Sequence, residues 1–358
     1  MRGALVKILL CTVLLFAGMG LAGAAESQKI VPKDIVLGHV GDSYQWHLLT
    51  TAEGHHVSIY LPVILHSRGT GWHIFSSRHL YGHGEGEYPE YEGFRIASEG
   101  QYKDKIVETG PGGEEIRPLD LSLTKTAAGI LINSAVLIII MLVCIRYYRR
   151  HEAVDYAPKG FVGLVEWLSN SILEDVIIPC VGENYRKFAP FLLTVFFFIF
   201  VNNLMGLIPF FPGGANVTGN IAVTFILALS TFLVVNIFGT KEYYKEIFWP
   251  DVPMFLKAIP LMPLIEFVGM FTKPFALMVR LFANILAGHS IILSLTCIIF
   301  ISAQMGAGMC AGMSAVSVFF MIFMNLIELL VAFLQAYVFT MLSSVFIGMA
   351  QVRHEAHE

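Results

Sequence analysis

The chain has 358 residues, of which 56% are hydrophobic and only 14% are charged. Soluble domains carry about 25% charged residues, so this composition excludes an ordinary soluble protein and favours one with several membrane spans. The formal net charge is −4. The chain contains no basic tract, which argues against a nucleic-acid partner.

The first 25 residues have the three-part pattern of a secretory signal. Arg2 and Lys7 precede an apolar run, and small residues follow it as far as Ala25. We predict a signal peptide over residues 1–25, cleaved near Ala24 or Ala25. An uncleaved first transmembrane helix is the alternative.

Residues 26–120 are predicted to form a small extracytoplasmic domain with some β structure. The segments 56–65 and 71–76 have the composition of short strands, and 82–93 is typical of a loop. No nucleophile motif or phosphate-binding loop occurs in this region, which argues against a soluble-type enzyme.

The remainder, residues 121–358, is predicted to be a membrane domain. Its apolar segments indicate five spans, at about 126–145, 188–210, 219–239, 258–303 and 313–350. The stretch 160–179 has the pattern of an amphipathic helix at the membrane surface. The predicted fold class is therefore an all-α polytopic membrane protein whose last two helices form a long tilted hairpin, plus the small N-terminal domain.

Positive charges orient these spans. If the spans alternate in direction, the Lys and Arg residues that flank them fall on one side, and the opposite loops, 210–220 and 304–312, contain neither type. The positive-inside rule makes the basic side cytoplasmic. The mature N-terminus is then extracytoplasmic and the C-terminus cytoplasmic, which agrees with an export signal.

Five polar residues interrupt the fourth span: Glu266, Lys273, Arg280, Asn284 and His289. An Arg at the centre of a membrane helix costs at least about 2.5 kcal/mol, which indicates a function, with a buried structural ion pair as the alternative. At about 100° per residue, the first four lie on one stripe and His289 points the opposite way. The stripe predicts a face turned to a partner or to an aqueous cleft.

The fifth span carries Asn325, Glu328 and Gln335 on one face. In an antiparallel hairpin, residues at equal depth have residue numbers that sum to a constant. The pairs His289–Glu328 and Arg280–Gln335 both centre close to residue 308, inside the glycine-rich turn. Spacing alone therefore predicts two polar contacts at two depths, with His289–Glu328 nearer the outside.

These residue types suggest a proton path. His and Glu side chains can relay protons when their surroundings tune them toward neutral pH, whereas an arginine guanidinium remains a fixed cation. A fixed charge beside a proton path is useful if it acts on a passing carboxylate. This chain supplies no such carboxylate opposite Arg280 at mid-membrane, so we expect the partner group on another subunit.

Several segments, in order, resemble the F-type ATP synthase a subunit family. The run KPFALMVRLFANILAGH (273–289) is similar to its signature, and Glu328 and Gln335, followed by AYVF, resemble its last helix. NNLMGLIP (202–209) and GANVTGNIAVTFILAL (214–229) resemble its middle hairpin. The resemblance covers about residues 120–350.

The resemblance implies a role for each matching residue. Arg280 corresponds to the essential arginine that faces the ring of c subunits and separates two half-channels, with Asn284 and Gln335 flanking it. His289 and Glu328 match positions of the outer half-channel, although some members carry the two types the other way round. Two further assignments follow, with Glu266 near the cytoplasmic half-channel and Asn216 and Asn220 at the outer entrance.

The implied function is that of a stationary, non-catalytic subunit in the inner membrane of a bacterium, coupling H⁺ flow to rotation and ATP synthesis. Its implied partners are the c ring, b-type peripheral stalk subunits, other ATP synthase subunits and membrane lipid. No cofactor is implied.

A secondary transporter would also need intramembrane Arg, His and Glu, but it normally shows inverted repeats, and the pattern of span four has no second copy. A purely structural membrane subunit is disfavoured by the predicted polar register.

The exported region is longer than the usual N-terminus of the family. Its eight histidines have spacings that fit no standard metal-ligand pattern, so structural packing or contact with the peripheral stalk is favoured over metal binding. They are His39, His47, His55, His56, His66, His73, His79 and His83.

Overall fold

The computed structural model describes residues 41–50, 56–82, 88–110, 114–150, 158–208, 211–248, 261–303 and 307–351. The described part is mostly helical, with small antiparallel sheets toward the N-terminus. Contacts divide the chain into two compact units, of which one contains Tyr44–Ser122 and the other contains Leu123–Ile299 and Ala311–Glu358. The predicted signal peptide, residues 1–25, lies outside the described residues.

In the described part of the N-terminal unit, eight short strands form three antiparallel sheets, ordered β1-β2, β4-β3-β8 and β5-β6-β7. The strands predicted at 56–65 and 71–76 are present as β2, β3 and β4. The bounds are β1 Gln45–Thr50, β2 His56–Tyr60, β3 Pro62–Ser67, β4 Gly71–Ser76, β5 Phe94–Ile96, β6 Ile106–Thr109, β7 Glu115–Ile116 and β8 Leu119–Asp120.

Alternation along β3 buries Val63 and Leu65 completely. They pack with Leu80, Phe94 and Ile106 in a small apolar core, as expected for strands with one face turned inward. Within the described residues, no group of three or more metal-ligating side chains is close enough to hold an ion. The histidines at 39, 55 and 83 lie outside those residues.

The second unit is helical. Five helical stretches among its described residues are long and apolar enough to cross a membrane, which is the number of spans that the sequence predicts. The bounds are α1 Lys125–Tyr148, α2 Phe161–Ile172, α3 Tyr185–Leu207, α4 Ile221–Phe238, α5 Lys241–Phe248, α6 Leu261–Ala303 and α7 Ala307–Gln351. The start of the fourth predicted span, residues 258–260, lies outside the described residues.

The segment predicted as amphipathic, 160–179, is helical. It consists of α2, a π-helical stretch at Leu173–Ile177 and a further turn at Ile178–Val181. Gly182 follows with a φ of 74°, a left-handed conformation that glycine adopts without steric cost. Gly182 therefore separates this segment from α3.

The last two helices, α6 and α7, contain 43 and 45 residues. At 1.5 Å per residue each is about 65 Å long, roughly twice the thickness of a bilayer's hydrocarbon core. A helix of this length must tilt strongly or extend beyond the hydrocarbon.

The core of the membrane unit surrounds α3, where Leu192, Phe196 and Ile199 are fully buried. From α6, three residues spaced four apart face this core: Leu277, Leu281 and Ile285. Arg280 and Asn284 fall between them in sequence and are exposed. The same helical period that buries one face of α6 thus turns its arginine outward.

Candidate functional site

A histidine and a glutamate meet between α6 and α7. His289 Nδ1 lies 2.6 Å from Glu328 Oε1, so the contact predicted from residue spacing is present. Glu328 is only 4% exposed. Neither oxygen of the Glu328 carboxylate has a hydrogen-bond partner among the described residues, so the 2.6 Å contact is a close approach rather than a hydrogen bond. A buried carboxylate in this state has spare capacity to accept a proton or a water molecule.

Two glycines make room for this pair. A Cβ added to Gly288 would lie 3.1 Å from Glu328 Oε1, which is closer than most real contacts. On α3, a Cβ added to Gly206 would lie 3.6 Å from His289 Nε2. The pair is therefore enclosed by α3 as well as by its own two helices, and small residues at the crossing permit the close approach.

A cluster of buried amides and hydroxyls adjoins the pair. Thr218 Oγ1 donates to Asn203 Oδ1 at 2.6 Å, and Asn203 Nδ2 donates to the carbonyl of Ala332 on α7 at 3.1 Å. Asn133 Nδ2 on α1 donates to Asn202 Oδ1 at 2.9 Å. These hydrogen bonds join α1, α3, the chain before α4, and α7 around one polar interior.

The two asparagines predicted at the outer entrance differ in what they contact. Asn216 lines a cavity beside His289, and its Nδ2 has no hydrogen-bond partner among the described residues. Asn220 Oδ1 accepts from the backbone N–H of Ala222 at 3.0 Å and so caps the N-terminus of α4. The structure thus brings Asn216 to the pair and places Asn220 in a capping role.

The cavity itself is small, at about 10 Å³, which is room for roughly one water molecule. Its polar lining consists of the histidine–glutamate pair and the amides and the hydroxyl beside it: His289, Glu328, Asn202, Asn203, Asn216 and Thr218. A space with this many donors and acceptors can hold a bound water, whereas an apolar space of the same size would stay empty.

The sequence also predicts a polar contact at Arg280, Asn284 and Gln335, farther from the turn between α6 and α7. Arg280 and Asn284 are exposed on α6, whereas Gln335 on α7 is only 4% exposed. Within the described residues no hydrogen bond joins Arg280 to Gln335, and the Arg280 guanidinium has no ion-pair partner. The predicted contact between His289 and Glu328 is therefore present, whereas no hydrogen bond among the described residues forms the predicted contact between Arg280 and Gln335.

A second cavity, about 20 Å³, lies at the other end of α6. Lys273, Tyr243 of α5 and Thr231 of α4 supply its polar groups. Lys273 Nζ lies 5.9 Å from the ring centre of Phe346 on α7. Glu266, seven residues before Lys273, is half-buried. Burial is the main cause that raises the pKa of Tyr243, with the charges of Tyr244 and Glu266 adding to it.

Sequence reasoning did not select Asn133, Asn202, Asn203 and Thr218, although the structure places all but Asn133 on the cavity lining. Each is 4% exposed or less. Polar residues inside long apolar segments are themselves a signal, because they are expensive in a membrane and normally face the bundle interior. Only the fold shows that Asn202, Asn203 and Thr218 meet beside His289 and Glu328, and that Asn133 of α1 joins them through Asn202.

Taken together, five apolar membrane-length helices around buried ionisable groups define a polytopic membrane protein with an ionisable interior. More narrowly, the chain belongs to the ATP synthase A chain family, whose model matches residues 130–348. A second family model, described as a domain of unknown function (DUF8433), matches residues 35–121.

Individual relatives agree with the family match. The chain is 43% identical to ATP synthase subunit a of Chloroherpeton thalassium over 249 residues, which cover 68% of this chain and 70% of the relative. ATP synthase subunit a 2 of Chlorobaculum tepidum is 43% identical over 253 residues, covering 68% and 67%. ATP synthase subunit a of an Anaeromyxobacter species is 36% identical over 253 residues, covering 67% and 57%.

Proposed function

We propose that this chain is the stationary, proton-translocating subunit a of an F-type ATP synthase membrane sector, in which Arg280 separates two half-channels. The observation that carries the proposal is the order of features along α6. One polar cavity lies at His289, another lies at Lys273, and the exposed Arg280 lies between them. At 1.5 Å per residue, the arginine is about 14 Å from His289 and about 10 Å from Lys273 along the helix.

The outer half-channel runs through the cavity beside the His289–Glu328 pair. A proton arriving past Asn216 meets the Glu328 carboxylate, whose Oε1 lies 2.6 Å from His289 Nδ1 and whose two oxygens have no hydrogen-bond partner among the described residues. Histidine and carboxylate can hand a proton on through such a contact, and a single bound water can extend the reach of either group. Asn203 and Thr218 hold the walls of this passage in place through their mutual hydrogen bond.

Arg280 acts as a fixed positive charge at the surface where a ring of c subunits passes. A guanidinium exposed at the middle of a membrane helix costs too much to face lipid, so another subunit must cover it. A carboxylate on that subunit is the matching group, because it loses its proton readily beside a permanent cation. Asn284 and Gln335 flank the guanidinium on its two sides.

The inner half-channel begins at the second cavity. Lys273 and Tyr243 line it, and Glu266 lies farther along the same helix toward the end where α5 contacts α6. A proton that leaves a ring carboxylate on this side of Arg280 passes these groups to the cytoplasm. The membrane potential contributes about 2.3 kcal/mol per proton and per 100 mV.

The remaining parts of the proposal concern placement and partners. Basic residues between the spans favour a cytoplasmic C-terminus and an extracytoplasmic N-terminal domain in a bacterial inner membrane. The c ring, b-type peripheral stalk subunits and the other ATP synthase subunits are the proposed partners. The chain supplies a path for protons, and ATP is made on other subunits.

The test is Arg280→Ala in the complete complex reconstituted in vesicles, compared with wild type for ATP-driven proton pumping and passive proton leak. We expect pumping to be lost while assembly persists, because the two half-channels are no longer separated. Arg149→Ala is the matched control, since it removes an exposed arginine at the end of α1, away from both cavities.

Normal pumping by the assembled Arg280→Ala complex would overturn the mechanism. Loss of pumping in the Arg149→Ala complex as well would show that removal of any membrane-domain arginine disables the complex. In that case the role assigned to Arg280 would fall.

A further inference from the structure

The outer face of one sheet in the N-terminal unit is apolar and exposed. In β4, Trp72 is 59% exposed and Ile74 is 73% exposed. In and just after β8, Leu119 and Leu121 are 58% and 56% exposed. Single exposed apolar residues are normal, but a contiguous group marks an interaction surface.

Strand register shows that these residues are contiguous. Ile64 of β3 pairs with Ile74, and its carbonyl accepts from the backbone N–H of Leu121. His66 is the next residue of β3 on the same face, and it pairs with Trp72 on one side and with Leu119 on the other. The result is two parallel rows across three strands, which we call the apolar sheet face: Ile74–Ile64–Leu121 and Trp72–His66–Leu119.

The opposite side of the same sheet is already occupied. Val63 and Leu65 of β3 point into the buried core. On β8, Asp120 lies between Leu119 and Leu121 and accepts a hydrogen bond from Tyr44, at 2.5 Å. The alternation of the strands therefore assigns the apolar sheet face to the outside of the folded unit, and in the described residues nothing covers it.

The short link between this sheet and the first membrane helix indicates what covers the apolar sheet face. Leu121 is four residues before Lys125, where the first membrane helix begins. Four residues reach at most about 14 Å, so this edge of the sheet cannot be far from the bilayer surface. The six residues include no formal charge, and Trp is the side chain most typical of the membrane–water interface.

We propose that the apolar sheet face docks on the outer surface of the lipid bilayer. Trp72 and Ile74 enter the boundary between headgroups and acyl chains, together with Leu119 and Leu121. The ring of His66 packs edge-on against Trp72, with 4.7 Å between ring centres, and supports it in this position. This inference rests on the membrane span and is independent of the proposed proton path.

The first test uses Trp72 itself in the full-length protein reconstituted in vesicles. The difference in tryptophan emission between wild type and Trp72→Tyr isolates the contribution of Trp72 from that of the other three tryptophans. We expect brominated lipids to quench this difference signal several-fold more than aqueous iodide does. Stronger quenching by iodide than by brominated lipid would overturn the proposal.

The second test places a fluorescent label at Ile74→Cys in a background without native cysteines, with Lys103→Cys as the matched control. Lys103 is exposed on a turn of the same unit, away from the apolar sheet face. We expect nitroxide-labelled lipids to quench the label at residue 74 several-fold more than the label at residue 103. Equal quenching at both positions would overturn the proposal.

A protein partner gives a different result. If another subunit covers this face, the label at residue 74 is protected from iodide in the complete complex, and lipid-borne quenchers do not reach it. The same label becomes accessible to iodide in the isolated chain. That pattern would overturn membrane docking in favour of a subunit interface.

Discussion

The N-terminal β unit and the membrane helices both bury apolar residues, but they differ in where their polar side chains lie. In the β unit, Val63, Leu65 and Phe94 form the interior, and charged side chains such as Arg95 and Glu115 pair at the surface. In the helical unit, exposed positions are largely apolar, as at Ile138 and Ile237, while Asn203 and Glu328 are buried.

One physical rule produces both arrangements. Polar groups need hydrogen-bond partners, and water supplies them outside the β unit, whereas lipid supplies none outside the helices. Polar side chains in the membrane unit must therefore satisfy one another, as Asn203 and Thr218 do. The difference teaches that an incompletely satisfied buried group inside the helices, such as the Glu328 carboxylate, is the first place to test for a function.

The largest expected effect concerns the His289–Glu328 pair. If this pair carries protons, His289→Ala and Glu328→Gln each reduce the initial rate of ATP-driven proton pumping about 10-fold or more, since general acid–base groups commonly contribute 10²-fold or more. The measurement is the quenching of a pH-sensitive dye in vesicles that contain the assembled complex.

Exchange of the two side chains sharpens this prediction. His289→Glu with Glu328→His keeps both chemical groups at one contact, so we expect it to pump faster than either single variant, His289→Glu or Glu328→His. Asn325→Ala is the control on the same face of α7, because among the described residues the Asn325 amide donates to the carbonyl of Met321 in its own helix and to no other group. A swapped variant no better than the singles would contradict a proton exchange across this contact.

An intermediate effect is expected in the β unit, at the hydrogen bond from Tyr44 to Asp120. Tyr44→Phe removes a bond to a charged group, which contributes about 2 kcal/mol to the free energy of unfolding. Thermal unfolding of the full chain, followed by a signal from the N-terminal unit, checks the loss. An unchanged midpoint would show that Asp120 is fully satisfied by the backbone N–H of Ser122, its other donor.

The same contact predicts a pH dependence. Burial and the neighbouring Asp120 raise the pKa of Tyr44 well above its ordinary value near 10. The neutral phenol is then favoured in the folded state, so the stabilisation is present below about pH 10 and declines as the pH rises beyond it. Wild type should lose stability between about pH 10 and 11, and Tyr44→Phe should lose less over that interval.

The smallest effect is expected at Asn203 in the membrane unit. Interhelical hydrogen bonds in membranes contribute about 0.6 kcal/mol on average, so Asn203→Ala should cost about 1 kcal/mol for its two bonds. Asn236→Ala is the matched control, because the Asn236 amide bonds the carbonyl of Phe232 within its own helix. If the two variants are equally stable in a detergent unfolding assay, the hydrogen bonds of Asn203 do not stabilise the membrane unit.

Much of the membrane architecture followed from the sequence. Apolar runs of membrane length have few alternatives to a helix, so the sequence predicted five membrane-length helices, and the described residues contain five. Helical periodicity also separated Arg280 and Asn284 from the buried face of α6. The contact between His289 and Glu328 followed because two long antiparallel helices with one short turn have a nearly fixed register.

The remainder depended on contacts between distant segments. Asn133, Asn203 and Thr218 share a polar interior although 85 residues of sequence separate the first from the last, and no local pattern encodes that proximity. Asn220 adds a second example, since the structure shows that its side chain caps the N-terminus of α4, a contact that the sequence analysis did not predict. The apolar sheet face likewise emerged only from strand pairing, because Trp72 and Leu119 belong to different strands.

The sequence by itself determined the class of protein, the number of spans and the residues that lipid cannot accommodate, because hydropathy and helical period are local properties. Tertiary structure alone decided which polar groups satisfy one another, and it leaves both oxygens of Glu328 without a hydrogen-bond partner among the described residues. The physical reason is that hydrogen bonds and close packing depend on distances of a few ångströms between segments, and sequence spacing fixes such distances only within a helix or across a short turn.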